Sequence, residues 1–155
     1  MEINYRRVKL SDQNEMQTIA AIDMTIPALF DSMFEVNDKT IAERLEQLLK
    51  CQDSDFFDVA VTMEGRIIGY HFLNRFTSPH GLPAASVQTL WVDPEYRRKG
   101  IAKALKARGE AWAVENGLDH ISTFVHAKNA AMQILNQNFD YELVGYKLRK
   151  NINQP

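Results

Sequence analysis

The sequence predicts a mixed α+β or α/β fold whose first half is mostly antiparallel. Three observations predict it. Segments of helical and of strand period alternate in the order β-α-α-β-β-β-α-β-α-β along the chain. Two strand-like runs are joined through Glu64-Gly65, a hairpin signal. No repeat, low-complexity tract or linker divides the 155 residues, so residues 1–155 are expected to form one domain.

The elements follow in order. Ile3 to Val8 reads as a short first strand. Ser11 and Asp12 are cap-type residues, and Glu15 follows Asp12 at capping-box spacing, so a helix is expected from there to about Asp23. Met24 to Val36 holds Pro27 and the apolar residues Ile26, Leu29, Phe30, Met33 and Phe34, and is expected as an irregular pocket wall or lid. A second helix, capped at Asp38 or Thr40, carries Ile41, Leu45, Leu48 and Leu49 at helical spacing. In the hairpin, Phe57 to Met63 is expected to put Val59, Val61 and Met63 on one face, and Arg66 to Phe76 returns. A loop over Thr77 to Ala84 precedes a strand from Ser86 to Val92, which Asp93-Pro94 stops. Lys99 to Glu115 reads as a helix with Ile101, Leu105 and Trp112 buried and Lys103, Lys106 and Glu110 wet. Asn116-Gly117 ends it with a left-handed cap. His120 to Val125 is a strand, Asn129 to Gln137 a short helix, and Tyr141 to Ile152 a final strand region.

Composition narrows the function classes. Hydrophobic residues make up 45% and charged residues 25%, as in ordinary globular proteins. No apolar run approaches the ~20 residues of a membrane span, and Met1 to Arg7 lacks the apolar core of a signal peptide. Cys51 is the single cysteine and is read as a structural thiol. These features point to the cytoplasm. A net charge of −2 argues against general nucleic-acid binding.

Chemistry concentrates in Leu90-Trp91-Val92-Asp93-Pro94-Glu95-Tyr96-Arg97-Arg98-Lys99-Gly100-Ile101-Ala102. A strand ends at a proline, a basic loop follows, and a glycine opens a helix. The first N–H groups of a helix lack intrahelical partners and face outward at its positive end, which suits a pyrophosphate. Gly100 allows close backbone approach, small Ala102 leaves the approach clear, and Arg97, Arg98, Lys99 and Lys103 add charge. A helix that merely begins with basic residues on a solvated face is the plain alternative. Three cations there oppose the macrodipole unless an anion is bound, which disfavours it. The loop has no Gly-Lys-Ser/Thr and only one glycine, so it is neither a Walker loop nor a dinucleotide fingerprint.

Arg97-x-x-Gly100-x-Ala102 resembles the Arg/Gln-x-x-Gly-x-Gly/Ala signature of the GNAT acetyltransferase superfamily. Leu90 to Pro94 is similar to the strand that precedes that signature, and the flanking elements fit in order. The resemblance implies a central twisted, mostly antiparallel sheet flanked by about four helices. It implies acetyl-CoA as donor, with the pyrophosphate on the backbone of Arg98, Lys99, Gly100, Ile101, Ala102 and Lys103. Leu90, Trp91 and Val92 would bond the pantetheine arm, and one of their N–H groups would polarise the thioester carbonyl. Asn129 matches an asparagine that contacts the same arm, a role compatible with a simple helix cap.

Two positions depart from the family pattern. Asn136 stands where many members carry a tyrosine acid, and an amide cannot donate that proton as a general acid. Ser86 and Phe124 occupy the positions where some members keep a glutamate base. His126 is then the candidate imidazole, weighed against a plain core-edge histidine. His71 reads as structural, His80 as a loop residue, and His120 as a strand opener. The four histidines lack metal-ligand spacing, so no metal is expected.

The expected activity is acetyl transfer to the primary amine of a small molecule or peptide, with no membrane or nucleic-acid partner. Phe30 and Phe34 are the candidate acceptor-binding residues. The alternative is a catalytically weak sensor that binds coenzyme A. An unpaired final strand would favour a homodimer.

Overall fold

A computed structural model describes residues 1–153 as two compact units, Met1–Phe124 and a second that begins at Val125. The first unit holds the sheet. Its strands are β1 (Ile3–Arg7), β2 (Phe56–Thr62), β3 (Ile67–Thr77), β4 (Pro83–Val92) and β5 (His120–Ser122). They lie in the order β1-β2-β3-β4-β5, antiparallel through β4, with β5 parallel to β4. The helices of this unit are α1 (Gln13–Ala28), α2 (Asp38–Leu48) and α3 (Ile101–Glu115). The second unit contains α4 (Ala130–Asn138). The mixed architecture and the mostly antiparallel sheet are those the sequence predicts.

The two faces of the sheet build separate cores. Phe57, Val59, Val61, Tyr70 and Phe72 pack against Met16, Ile19 and Ala20 of α1 and Leu48 of α2. On the opposite face Ala60 and Ile68 meet Ile101 and Leu105 of α3, and Phe56, Leu73 and Ala85 pack with Trp112. Every residue of β2 is therefore buried. Met63, expected beside Val59 and Val61, lies past the strand end and is exposed. Gly69 sets how closely α3 approaches: a Cβ there would lie 3.0 Å from Ile101 Cγ2 and 3.1 Å from the Trp91 carbonyl oxygen.

Several boundaries differ from the sequence reading, each for a local reason. α1 runs past Asp23 through Pro27, because a proline in the last turn removes a single hydrogen bond. The Asp12 cap forms, accepting from Asn14 and Glu15 N–H. Glu15 does not complete the box, because Arg6 and the Lys9 N–H hold its carboxylate. α2 is capped by Asn37 in a reciprocal box with Thr40, rather than by Asp38 or Thr40. β4 begins at Pro83, and β5 spans three residues where six were expected. Lys106, expected on the wet side, is buried with 1% exposure, since α3 lies flat on the sheet and buries a wide face. Burial pushes its ammonium down to about 8 against the opposing attraction of Glu110.

In the second unit, Tyr141 to Asn153 forms neither helix nor strand, so the final strand expected over Tyr141 to Ile152 is not formed. No helix among the described residues is long and apolar enough to cross a membrane.

Candidate active site

β4 is bonded to β3 along its whole length but to β5 only at Ala84, Ala85 and Ser86. Past Ser86 the outer edge of β4 has no strand partner among the described residues. A bulge falls between Val87 and Thr89, where Gln88 is extra in the register with β3. The Asp93 N–H donates to the Ile68 carbonyl (2.9 Å), which fixes the alternation beyond the bulge. Trp91 faces β3 with its backbone groups, while those of Leu90 and Val92 face the open edge. The guanidinium Nε of Arg97 donates to the Val92 carbonyl at 3.2 Å, which leaves the Leu90 groups and the Val92 N–H toward that edge.

The chain then turns through a single 3-10 turn, Pro94–Tyr96, capped by Asp93, whose carboxylate accepts from the Glu95 N–H (3.0 Å). Two left-handed residues follow, Arg98 at φ 60° and Gly100 at φ 80°. Gly100 is the cap of α3 and supplies no side-chain bond to its first turn. The N–H groups of Ile101, Ala102 and Lys103 thus have no intrahelical acceptor. Nothing lies within 4 Å of where a Gly100 Cβ would stand. Arg97, Arg98, Lys99 and Lys103 are all exposed, and none is in an ion pair among the described residues. Lys99 lies over the ring of Tyr96, 5.0 Å from its centre.

Beneath this edge are two buried polar groupings that the sequence did not signal. On the α1 face, the Asp23 carboxylate accepts from Tyr70 OH (2.8 Å), Thr89 Oγ1 (2.9 Å) and Arg44 Nε. Trp91 stacks on Tyr70 at 5.5 Å. On the α3 face, His71 Nδ1–H donates to the Thr89 carbonyl at 3.0 Å. Burial holds this imidazole neutral, its pKa lowered to about 4. The sequence reads His71 as structural, as it is here, but neither its partner nor the role of Asp23 carries a spacing pattern, and only the sheet register reveals them.

The loop and strand candidates Leu90, Trp91, Val92, Arg97, Arg98, Lys99, Gly100, Ile101, Ala102 and Lys103 are brought together in one strand–loop–helix. Phe30 and Phe34 lie half-buried in the connection after α1, each closing a turn with its N–H, to Pro27 and Asp31. His126 and Asn129 belong to the second unit. There Asn129 caps α4, its side chain accepting from Met132 N–H at 3.1 Å, and His126 Nδ1 accepts from Lys128 N–H. Asn136 is buried in the same helix.

The sequence profile of the acetyltransferase (GNAT) family matches residues 22–140. The chain belongs to the GNAT acetyltransferase family. Among relatives, it is similar to the mycothiol acetyltransferase of Salinispora tropica, 30% identical over 129 residues that cover 75% of this chain and 40% of that protein. A second mycothiol acetyltransferase, from Saccharomonospora viridis, is 30% identical over 99 residues, 59% of this chain and 31% of that protein. The GNAT chain thus spans less than half the length of these relatives. Its fold is similar to that of a putative acetyl transferase from Pyrococcus furiosus, with a TM-score of 0.79, 22% identity, and coverage of 97% of this chain and 100% of that one. It is also similar to AAC(6')-Iy solved with a bisubstrate analog of CoA and acetylneamine, with a TM-score of 0.70, 15% identity, and coverage of 99% and 100%.

Proposed function

We propose that the protein is an acetyl-CoA-dependent N-acetyltransferase acting on the primary amine of a small molecule or peptide. The observation that carries this reading is the pairing of an unpartnered β4 edge with an uncapped, cation-rich helix start one loop away. Leu90 and Val92 offer strand-like backbone bonds to a pantetheine arm. The N–H groups from Arg98 to Lys103 and the open space over Gly100 suit its pyrophosphate. Bound there, acetyl-CoA would supply the activated acetyl group.

The chain's own part is to bind, orient and polarise. A backbone N–H at the β4 edge suits an oxyanion-hole role. Neutral, buried His71 holds the Thr89 carbonyl and so steadies the strand at its bulge. Asn136 contributes no proton, and a thiolate whose conjugate acid has a pKa of about 8.5 departs tolerably without an enzyme acid. His126 is the proposed imidazole for deprotonating the amine, and Asn129 the proposed side-chain contact to the pantetheine arm. Phe30 and Phe34 are proposed to meet the acceptor.

Calorimetric titration with acetyl-CoA, compared with a pantetheine fragment that lacks the pyrophosphate, tests the donor site. Tight binding of the whole donor and much weaker binding of the fragment is the expected result. Absence of binding at millimolar donor would refute the reading. The asparagine at position 136 favours a second reading, a sensor that binds coenzyme A without turnover. Release of free thiol in the presence of an amine panel separates the two. In the second unit, Leu143, Val144, Tyr146 and Leu148 are exposed apolar residues in a segment that forms no strand of its own. They support strand pairing with a second copy, and a monomeric mass at micromolar concentration would count against it.

A further inference from the structure

The phosphate loop has a carboxylate problem. Asp93 and Glu95 lie in the same short stretch as Arg97, Arg98 and Lys99, with Glu95 three and four residues before the last two. A carboxylate that close can pair with those cations and occupy them in place of a ligand anion. It does not do so here, because Arg66, at the turn between β2 and β3, holds both carboxylates. Its Nη2 donates to Asp93 Oδ2 (2.8 Å) and to Glu95 Oε2 (3.0 Å). Its guanidinium also lies over the Tyr96 ring, 5.3 Å from the centre. The backbone of Arg66 is tied separately, its carbonyl accepting from Thr62 N–H and its N–H donating to Thr62 Oγ1. The hairpin therefore does not depend on the side chain.

From this geometry we infer that Arg66 is a positioning residue for donor binding. It sequesters Asp93 and Glu95 and so keeps Arg97, Arg98, Lys99 and Lys103 available to a pyrophosphate. The residue comes from outside the signature segment, which is why no motif contains it. The inference rests on the donor site proposed above.

The test is a binding series with coenzyme A as probe, read by calorimetry on the whole chain. Arg66→Ala is expected to weaken binding roughly twofold to fivefold, the scale of an exposed ion pair. Arg66→Lys should retain most of the affinity, because it keeps a cation at the carboxylates. The decisive variant is the double substitution Arg66→Ala with Glu95→Gln. Removing the competing carboxylate should restore most of the lost affinity, with Glu95→Gln alone close to the unaltered protein. A role confined to packing would leave the double variant as weak as Arg66→Ala, and that result overturns the inference. So does undiminished binding by Arg66→Ala. If Arg66→Ala folds poorly, Arg66→Met keeps the stem over Tyr96 and serves the same comparison. Failure of the unaltered protein to bind coenzyme A overturns the donor site and this inference with it. Normal binding by the unaltered protein, with no effect in the series, overturns this inference alone.

Discussion

The hydroxyl of Thr89 donates to the buried carboxylate of Asp23 at 2.9 Å, joining β4 to α1 across 66 residues of chain. Thr89 is the first residue past the bulge in β4, so this bond pins the strand within the stretch whose outer edge is free. Tyr70 and Arg44 complete the anchor from β3 and α2. Asp23 is thus the point at which both helices of that face are tied to the site strand. Asp23→Ala removes the shared acceptor of two buried hydroxyls and of the partly buried Arg44 guanidinium, which keeps Gln47 as a second partner, and is expected to cost about 2–4 kcal/mol. Tyr70→Phe removes one donor and should cost about 1–2 kcal/mol. Urea denaturation of the two variants measures both, and equal losses would contradict a carboxylate-centred anchor.

Gly69 is expected to resist enlargement. Its Cβ position lies 3.0 Å from Ile101 Cγ2 and 3.1 Å from the Trp91 carbonyl oxygen, one a side chain and the other backbone of the site strand. Gly69→Ala must push α3 or β4 aside, at a cost of roughly 1–3 kcal/mol. The same shift should weaken donor binding, because both moving elements border the proposed site. A melting curve and a coenzyme A titration on one sample check the two effects together.

Gly100 separates fold from binding. Alanine meets no atom there but inherits a φ of 80°, so Gly100→Ala should cost about 1–2 kcal/mol of stability. Gly100→Glu carries the same strain and adds a negative charge where the pyrophosphate is proposed to sit. It should fold and fail to bind coenzyme A. Retained affinity would remove the loop from the donor site.

His71 predicts a loss of stability in acid. Its folded pKa of about 4 lies below the ordinary value of 6.5, because burial disfavours the cation. Between those values the unfolded chain takes up the proton and the folded chain does not, so the stabilisation is complete above pH 6.5 and falls as the pH drops toward 4. The loss from this group should reach about 3 kcal/mol and then level off. A series of urea denaturations from pH 7 to pH 4 measures it, and His71→Gln should flatten that part of the curve.

Local patterns were legible wherever a neighbour in sequence decides the outcome. Asp12 caps α1, the Glu64-Gly65 turn joins β2 to β3, and Asp93-Pro94 stops β4, all as the residues alone predict. The strand–loop–helix that gathers Leu90 to Lys103 was legible for the same reason, since its parts are contiguous. The sequence misjudged Lys106, because helical periodicity locates an apolar stripe but not the width of the face a sheet will cover. It extended β5 to Val125 and expected a strand over Tyr141 to Ile152, because strand propensity does not say whether a partner lies alongside.

By itself, then, the sequence determined the fold class, the order of the elements as far as α4 and the loop that marks the family. These follow from local propensity, capping and the need to bury apolar faces. Tertiary structure alone decided that β5 leaves β4 after Ser86, that Asp23 holds Thr89 and that Arg66 holds Asp93 and Glu95. Those relationships join residues far apart in the chain through hydrogen bonds and charge, and sheet register, which no local pattern encodes, sets which of them meet.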